Sequence, residues 1–535
     1  MKLGRKILCF LFGCIIGLPL ILEIVFNTMD INLDIALKGH FDTYIKPHFE
    51  LESFISRDYQ TDYEKWLNAN LKPRGMFIKL YNQIQYSFFD LGNRVIGKEG
   101  DIFEESYIDD YLRDKDEYNF SLKNNQIAIE EYVQQLQSID KRLKEINKHL
   151  ILYTTPTKLD VSYKNLPYKY KIRQNSNAIR GIDYLKTLLE KTDIIYVDTG
   201  ELLYDQQQYP SFYKTGIHWS RPLEQKATAL IIDMMREISG KEIRNVTLGE
   251  LKKNNEPFWR DTDVFDLLNI YSENNEKEFF EYVVEREYPQ IYDSAKVLLQ
   301  GGSFAMGVQH DFFDIYPNEE LTYINYDNYV IDSDGNMIKL NTWEDLELGL
   351  YLDEVDFVII ELNEAVINQY SSGFVAYLDE FLEEYIPGSK SKRKVGMNMS
   401  IVSSDLLQFS KGFYGFEGGE NGFSWMGESA IIKLQNENIS QKGLQIKLAV
   451  PDELPENNIY IYINGKLVEQ IACKKSGFLD LNINPERFGR DNDNRYTIEI
   501  FAEKSFNPKE RSMSGDSRDL SLRVYYIGEE QEYGI

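Results

Sequence analysis

Apolar and polar positions divide the chain into four stretches of different rhythm. The first is a nearly unbroken apolar run, "ILCFLFGCIIGLPLILEIVF" at 7–26, whose one charge is Glu23. Twenty helical residues rise about 30 Å, the thickness of a bilayer's hydrocarbon core. Lys2, Arg5 and Lys6 precede the run, and no small-x-small cleavage site follows it. It therefore predicts an uncleaved transmembrane signal anchor over 1–28, with the basic end in the cytoplasm and the rest outside. The "LFGC" at 11–14 resembles a lipoprotein box weakly, because most of the apolar run follows Cys14.

The second stretch, 29–109, reads as a stalk and helical lead-in. In it "YEKWLNANLKPRGMFIKLYNQIQYSFF" carries apolar residues at helical spacing after Pro73, and "VIGKEGDIF" (95–103) reads as a turn between short extended pieces. The third, 110–398, alternates. A long amphipathic helix at 124–150 leads into "LILYTTP", and further short apolar runs stand at 193–198, 296–302, 321–325 and 356–363. Helical segments at 177–191, 221–238 and 370–386 separate most of these runs. That alternation predicts an α/β domain whose parallel sheet is covered on both faces, with ligands meeting the carboxyl ends of its strands. Three polar clusters stand there: "TTPTK", "QGGS" and "ELNE". In the fourth stretch, 399–535, the helical period disappears. Runs such as "GLQIKLAV", "NIYIYING" and "RYTIEIFA" alternate and turn every ten or so residues, which predicts an all-β sandwich or jelly roll.

Composition narrows the function. With 59 basic against 86 acidic residues the net charge is −27, which repels nucleic acid and other polyanions and accommodates a neutral or cationic partner more easily. Of the three cysteines, Cys9 and Cys14 lie in the anchor and only Cys473 outside it. Neither an intrachain disulfide of the exported part nor a cysteine metal site is open to it, so no metal is expected. No P-loop and no G-x-G-x-x-G follows a strand, so no nucleotide or other cofactor is expected either.

The chemistry concentrates in two segments. In "KVLLQGGSFAMGVQHDFF" (296–313) an apolar strand ends in two glycines, and Ser303 stands at the start of a helical segment. A serine there is either a helix cap or a nucleophile whose oxyanion is stabilised by backbone N–H groups. The second segment is "SFYKTGIHWS" (211–220), where His218 is either a packed neighbour of Trp219 or a general base.

Taken in order, "YEKWLNANLKPRGMFIKLYNQIQYSFF", "VIGKEGDIF", "TPTK", "YKTGIHWS", "GGSF" and "ELNE" resemble the SGNH-hydrolase-like polysaccharide O-acetyltransferases of the AlgX/AlgJ and DHHW type, over roughly residues 60–395. The resemblance implies an SGNH/flavodoxin-like sheet and a C-terminal jelly-roll carbohydrate-binding-like module. It implies Ser303 as nucleophile, His218 as its base, and Gly302 and Asn363 beside the oxyanion. Acetyl would come from a membrane-bound O-acyltransferase and pass to a hydroxyl of a surface exopolysaccharide. An acetyl-esterase and a non-catalytic glycan-binding or assembly factor are the alternatives. The family's aspartate aligns with Gly216, which has no side chain to orient an imidazole. Asp198, Asp205, Asp261, Asp263 and Glu364 are the candidates to replace it. Tyr414, Phe423 and Trp425 are the aromatic candidates for stacking on sugar rings, or for filling the jelly-roll core.

Overall fold

The computed structural model describes residues 17–29, 31, 35–39, 44–89, 93–204, 208–244, 246–258, 260–286, 289–293, 295–315, 321–326, 328–331, 337–346, 348–387, 407–417, 422–436, 438–488, 495–509, 511, 516 and 518–529. Of the expected anchor, 7–16 fall outside these residues, while 17–28 are helical. Among the described residues no helix is long and apolar enough to cross a membrane. The lead-in is helical at Leu51–Ser56, Asp58–Asn70 and α1 (Arg74–Phe88). A short hairpin, Arg94–Ile96 with Ile102–Glu104, carries the "VIGKEGDIF" turn.

The α/β domain is built on the strands that the apolar runs predict. Helix α2 (Lys123–Glu145) is shorter than the expected 124–150, because His149 already begins β1 (His149–Thr155). Next come α3 (Gly181–Leu189), β2 (Ile195–Asp198), α4 (Arg221–Ser239) and α5 (Asp263–Leu267). They are followed by β3 (Val297–Gly301), α6 (Ala305–Ile315), β4 (Leu321–Asn325), β5 (Tyr329–Ile331), β6 (Met337–Lys339), β7 (Phe357–Asn363) and α7 (Phe374–Glu384).

These strands form one seven-stranded sheet in the order β6-β5-β4-β3-β7-β1-β2. The five from β4 to β2 are parallel, and β5 and β6 add an antiparallel edge. The sheet is therefore mixed rather than all-parallel, and β7 sits in its centre instead of at the end of a flavodoxin-like order. All seven residues of β7 are buried, as a strand covered on both faces requires. One face packs α2, α3 and α7 through residues such as Leu136, Leu152, Ile360 and Leu378. The other packs α4 and α6 through Ile151, Leu223, Ile231, Leu299 and Val308. An antiparallel ribbon, Val246–Asn254 with Phe279–Arg286, was not expected; it lies against α4.

After 406 the chain forms β8 (Leu407–Glu417), β9 (Phe423–Gln435), β10 (Leu444–Val450), β11 (Asn457–Ile463), β12 (Lys466–Cys473), β13 (Gly477–Ile483), β14 (Arg495–Ala502) and β15 (Leu522–Glu529). They make an eight-stranded antiparallel sandwich in the order β12-β11-β14-β9-β15-β10-β13, with β8 also on β9. The long β9 joins its halves: Ser424–Met426 pair with β15 and Ser429–Gln435 with β14. Alternate residues such as Ile432, Ile446, Ile461 and Ile498 fill the interior.

The sandwich is fastened to the α/β domain. Arg244 lies buried against the rings of Tyr292, Phe501 and Tyr462, 3.9, 4.2 and 5.0 Å from their centroids, and 3.5 Å from the buried carboxylate of Glu499. The Tyr292 hydroxyl also donates to Glu499, and the Tyr462 hydroxyl to the Pro289 carbonyl at 2.8 Å. Backbone bonds from Tyr292 to Gly465 and from Leu467 to Gln290 close the seam.

Candidate active site

Strand β3 is buried along its whole length and ends at Gly301. A Cβ on Gly301 would stand 2.6 Å from the Cβ of Glu361 and 2.7 Å from that of Ala305, so only glycine lets the chain turn sharply between strand and helix. The turn raises Ser303 just before α6, whose first N–H groups have no intrahelical partners.

Ser303 and His218, 85 residues apart, meet above the sheet edge. The Ser303 hydroxyl lies 2.7 Å from His218 Nε2, and His218 Nδ1 lies 2.5 Å from Asp263 Oδ2. A carboxylate only accepts, so Nδ1 carries the proton and Nε2 faces the hydroxyl with its lone pair. The imidazole is 7% exposed and packs on Phe304, ring centroids 4.7 Å apart. Asp263 opens α5, where the helix dipole favours a negative charge, and its Oδ1 accepts from the backbone of Val264 at 2.8 Å and Ile217 at 3.2 Å. Burial opposes ionisation of Asp263, but attraction to the imidazolium that His218 can become and the hydrogen bond from its ring, helped by those two N–H groups, outweigh it and hold the carboxyl below its usual range.

The other acid candidates are engaged elsewhere. Asp198 pairs with Lys186 at 2.5 Å, and Glu364 with Arg180 at 3.0 Å. Asp261 accepts from the backbone of Phe258 and Arg221, and burial pushes its pKa up to about 8, so it is neutral where an orienting anion is needed. Burial likewise raises Glu364 to about 8. Asp205 lies outside the described residues.

Gly216 is a matter of space. A Cβ there would stand 2.7 Å from the carbonyl oxygen of Asp261 and 2.9 Å from that of Arg260. The segment that brings Asp263 to the imidazole thus occupies the volume in which a residue-216 side chain would begin.

Three positioning groups escape a sequence reading. Lys158 of "TPTK", 2% exposed, pairs with Asp101 at 3.3 Å and donates to the carbonyls of Lys214 (2.6 Å), Gly216 (3.0 Å) and Ile102 (3.1 Å), gathering the histidine loop onto the hairpin. Burial lowers its pKa to about 8. Arg260, fully buried, donates to the Ser303 carbonyl and lies 3.4 Å from Glu224, which also accepts from the Trp219 indole at 3.2 Å. Glu361 of "ELNE" accepts from the Thr155 hydroxyl at 2.6 Å and the Gly302 N–H at 2.7 Å, and burial raises its pKa.

Gly302 and Asn363, expected beside the oxyanion, both have hydrogen-bond partners within the fold. The Gly302 N–H is held by a carboxyl rather than open to an oxyanion. The Asn363 amide donates to the Thr155 hydroxyl at 3.0 Å, while its oxygen accepts from Ala365 N, so the side chain braces the strand end. The three aromatic candidates of the sandwich are covered by neighbours to different extents. Trp425 is buried with Leu454, Phe506 and Leu520, and the Arg523 guanidinium lies over it and over half-buried Phe423, at 4.6 and 5.3 Å. The Tyr414 hydroxyl donates to the Asp519 carbonyl, and Arg518 lies over its ring. Among the described residues no group of three or more His, Cys, Asp or Glu is placed to hold a metal ion.

Part of this domain is similar to known proteins. Residues 109–252 match the family described as "SGNH hydrolase-like domain, acetyltransferase AlgX", a stretch that includes His218 and ends before Asp263 and Ser303. No curated protein sequence matches the chain. Among solved structures, Pseudomonas aeruginosa AlgX is similar at 14% identity over 81% of this chain and 90% of its own, with a TM-score of 0.32. The O-acetyltransferase domain of Pseudomonas putida AlgJ is similar at 12% identity over 54% of this chain and 99% of its own, TM-score 0.34. A family 35 carbohydrate binding module from Clostridium thermocellum is similar at 12% identity over 22% of this chain and 88% of its own, TM-score 0.14. Likenesses this remote carry no statement about activity. Over residues 109–252, then, the α/β domain of this chain is similar to the AlgX-type SGNH hydrolase-like acetyltransferase domain.

Proposed function

We propose that this protein is an extracytoplasmic, membrane-anchored O-acetyltransferase that acetylates hydroxyls of a surface exopolysaccharide through an acetyl-Ser303 intermediate. The observation that carries the reading is the continuous hydrogen-bonded line from Ser303 through His218 to ionised Asp263, within a domain of the acetyltransferase family.

The chemistry follows from that line. His218 Nε2 takes the Ser303 proton as Oγ attacks the acetyl carbonyl, and Asp263 stabilises the imidazolium that forms. The tetrahedral oxyanion is held by N–H groups at the start of α6. On collapse the imidazolium returns its proton to the leaving oxygen of the donor. A sugar hydroxyl then attacks the acetyl-serine, its proton passing to Nε2 and on to Ser303 Oγ. A membrane-bound O-acyltransferase supplies the acetyl group, and the anchor at 7–26 keeps the serine near that supply. The acidic surface favours a neutral glycan as acceptor.

The test is incubation of the full chain with an activated acetyl ester, with and without neutral β-linked oligosaccharides. Acetylated oligosaccharide at the expense of free acetate supports a transferase. Acetate release indifferent to any sugar marks an esterase. Normal polymer acetylation in cells carrying Ser303→Ala leaves a non-catalytic assembly factor.

A further inference from the structure

We infer that helix α1 lies on the anionic surface of the lipid bilayer, an assignment that rests on the membrane anchor proposed above. Leu80, Tyr81, Ile84 and Phe88 fall within an arc of about 100° at helical spacing. All four are exposed, with Tyr81 at 62% and Phe88 at 79%, and Phe89 continues the stripe past the helix end. A contiguous exposed apolar stripe on a water-soluble face marks an interaction surface.

Charge chooses the occupant. The chain carries 86 acidic residues, yet 71–89 holds none, while Lys72, Arg74 and Lys79 fall within it. A protein of net charge −27 is repelled by an anionic bilayer over most of its surface, and an acid-free basic segment that also carries an apolar stripe is where it can approach one. An apolar stripe flanked by basic residues and free of acids is the composition of a helix lying in the membrane interface. Continuity with the anchor points the same way. Helix 17–28 exposes Leu20, Ile21 and Ile24, and its Glu23 accepts from the Lys72 backbone at 2.9 Å, two residues before α1 begins. The lipid that surrounds those anchor residues is therefore adjacent to α1.

The other side of α1 reaches towards the catalytic line. Asn82 Nδ2 donates to the Leu268 carbonyl at 2.7 Å, and Gln83 Oε1 accepts from the backbone of Tyr271 and Ser272 at 3.0 and 2.9 Å. This loop directly follows α5, which begins with Asp263. A bilayer-seated α1 thus fixes the segment bearing the triad acid at the membrane, close to a lipid-borne or membrane-held acyl group.

The experiment uses the full chain with Cys9, Cys14 and Cys473 replaced by serine and one polarity-sensitive fluorophore at Ile84→Cys, Phe88→Cys or, as control, the exposed Phe478→Cys of the sandwich. The proteins are reconstituted into phosphatidylcholine vesicles containing one part in three of phosphatidylglycerol, with and without lipids bearing a nitroxide on the acyl chain. Labels at 84 and 88 are expected to emit to the blue of label 478 and to be quenched several-fold more. Vesicle-bound chains whose three labels behave alike overturn the inference and leave the anchor standing. Blue-shifted labels that lipid nitroxides do not quench also overturn it, because the stripe then faces protein. A chain that does not float with vesicles overturns the anchor, and this inference with it.

Discussion

Adding one methyl group at Gly216 tests the catalytic geometry without touching any of its three members. In Gly216→Ala the new Cβ would begin 2.7 Å from the Asp261 carbonyl oxygen, where an ordinary contact starts at 3.4 Å. Both crowding atoms, the carbonyls of Asp261 and Arg260, are backbone, so relief requires the chain to shift by the difference, about 0.7 Å. Asp263 is two residues along that backbone, and the bond it must keep with His218 Nδ1 is 2.5 Å. A misplacement of about 1 Å at a catalytic centre costs roughly 10²-fold, and complete loss of an orienting aspartate about 10⁴-fold. We therefore expect a fall in kcat of about 10²-fold for acetyl-ester turnover, with KM little changed, beside an overpacking cost of about 1–3 kcal/mol. The assay compares Gly216→Ala, Asp263→Asn and the double variant at a temperature where all remain folded by circular dichroism. Because the methyl group acts through Asp263, the double variant should be no slower than Asp263→Asn alone. Multiplying losses, or Gly216→Ala within about threefold of the parent, would refute the assignment.

Other outcomes follow from the same contacts. Asp261 holds a proton in the fold up to about pH 8 that the unfolded chain releases near pH 4, so its contribution to stability is complete below that value and declines as pH rises towards 8. Asp261→Asn should remove up to about 1.4 kcal/mol of that decline per pH unit. Urea midpoints of parent and variant that move in parallel from pH 5 to pH 8 would contradict it. Lys158→Met removes the cation that gathers the histidine loop, and should lower kcat by about ten- to a hundredfold at nearly constant KM. A change confined to KM would assign Lys158 to substrate binding instead. Arg244→Met leaves Glu499 buried without its cation and should destabilise the seam by about 3–5 kcal/mol, whereas adding Glu499→Leu should recover most of the loss in a denaturant titration.

The strands were legible because burial on both faces writes itself as short apolar runs, and each of the five parallel strands coincides with one such run. The alternation after 400 announced the sandwich for the same reason. Strand order was not legible, since nothing local tells β7 to enter between β1 and β3. In the site, the serine and histidine segments were picked out as candidates by their local pattern, but no single acid was. Asp261 and Asp263 sit two apart in one loop, and only the tertiary path that crowds Gly216 decides which is buried neutral and which faces the imidazole. "ELNE" stands at a strand end, but its letters do not say which side chain meets the turn. Glu361 and Asn363 point to the same side of β7, and its register with β3, Ile360 opposite Gln300, sets Glu361 beside the glycine turn. Whether Tyr414, Phe423 and Trp425 stack on sugar or fill the sandwich stayed open in the sequence, because Phe506 and Leu520, which pack with Trp425, lie far along the chain.

The central claim is that Ser303 becomes acylated by way of His218 and Asp263. Intact-protein mass spectrometry after brief exposure to an activated acetyl ester reads this directly, with peptide mapping to locate the adduct. One acetyl group is expected on Ser303 in the parent chain, absent from His218→Ala and strongly slowed in Asp263→Asn but not in Asp261→Asn. An adduct on another residue, or one that forms equally fast without His218, would contradict it.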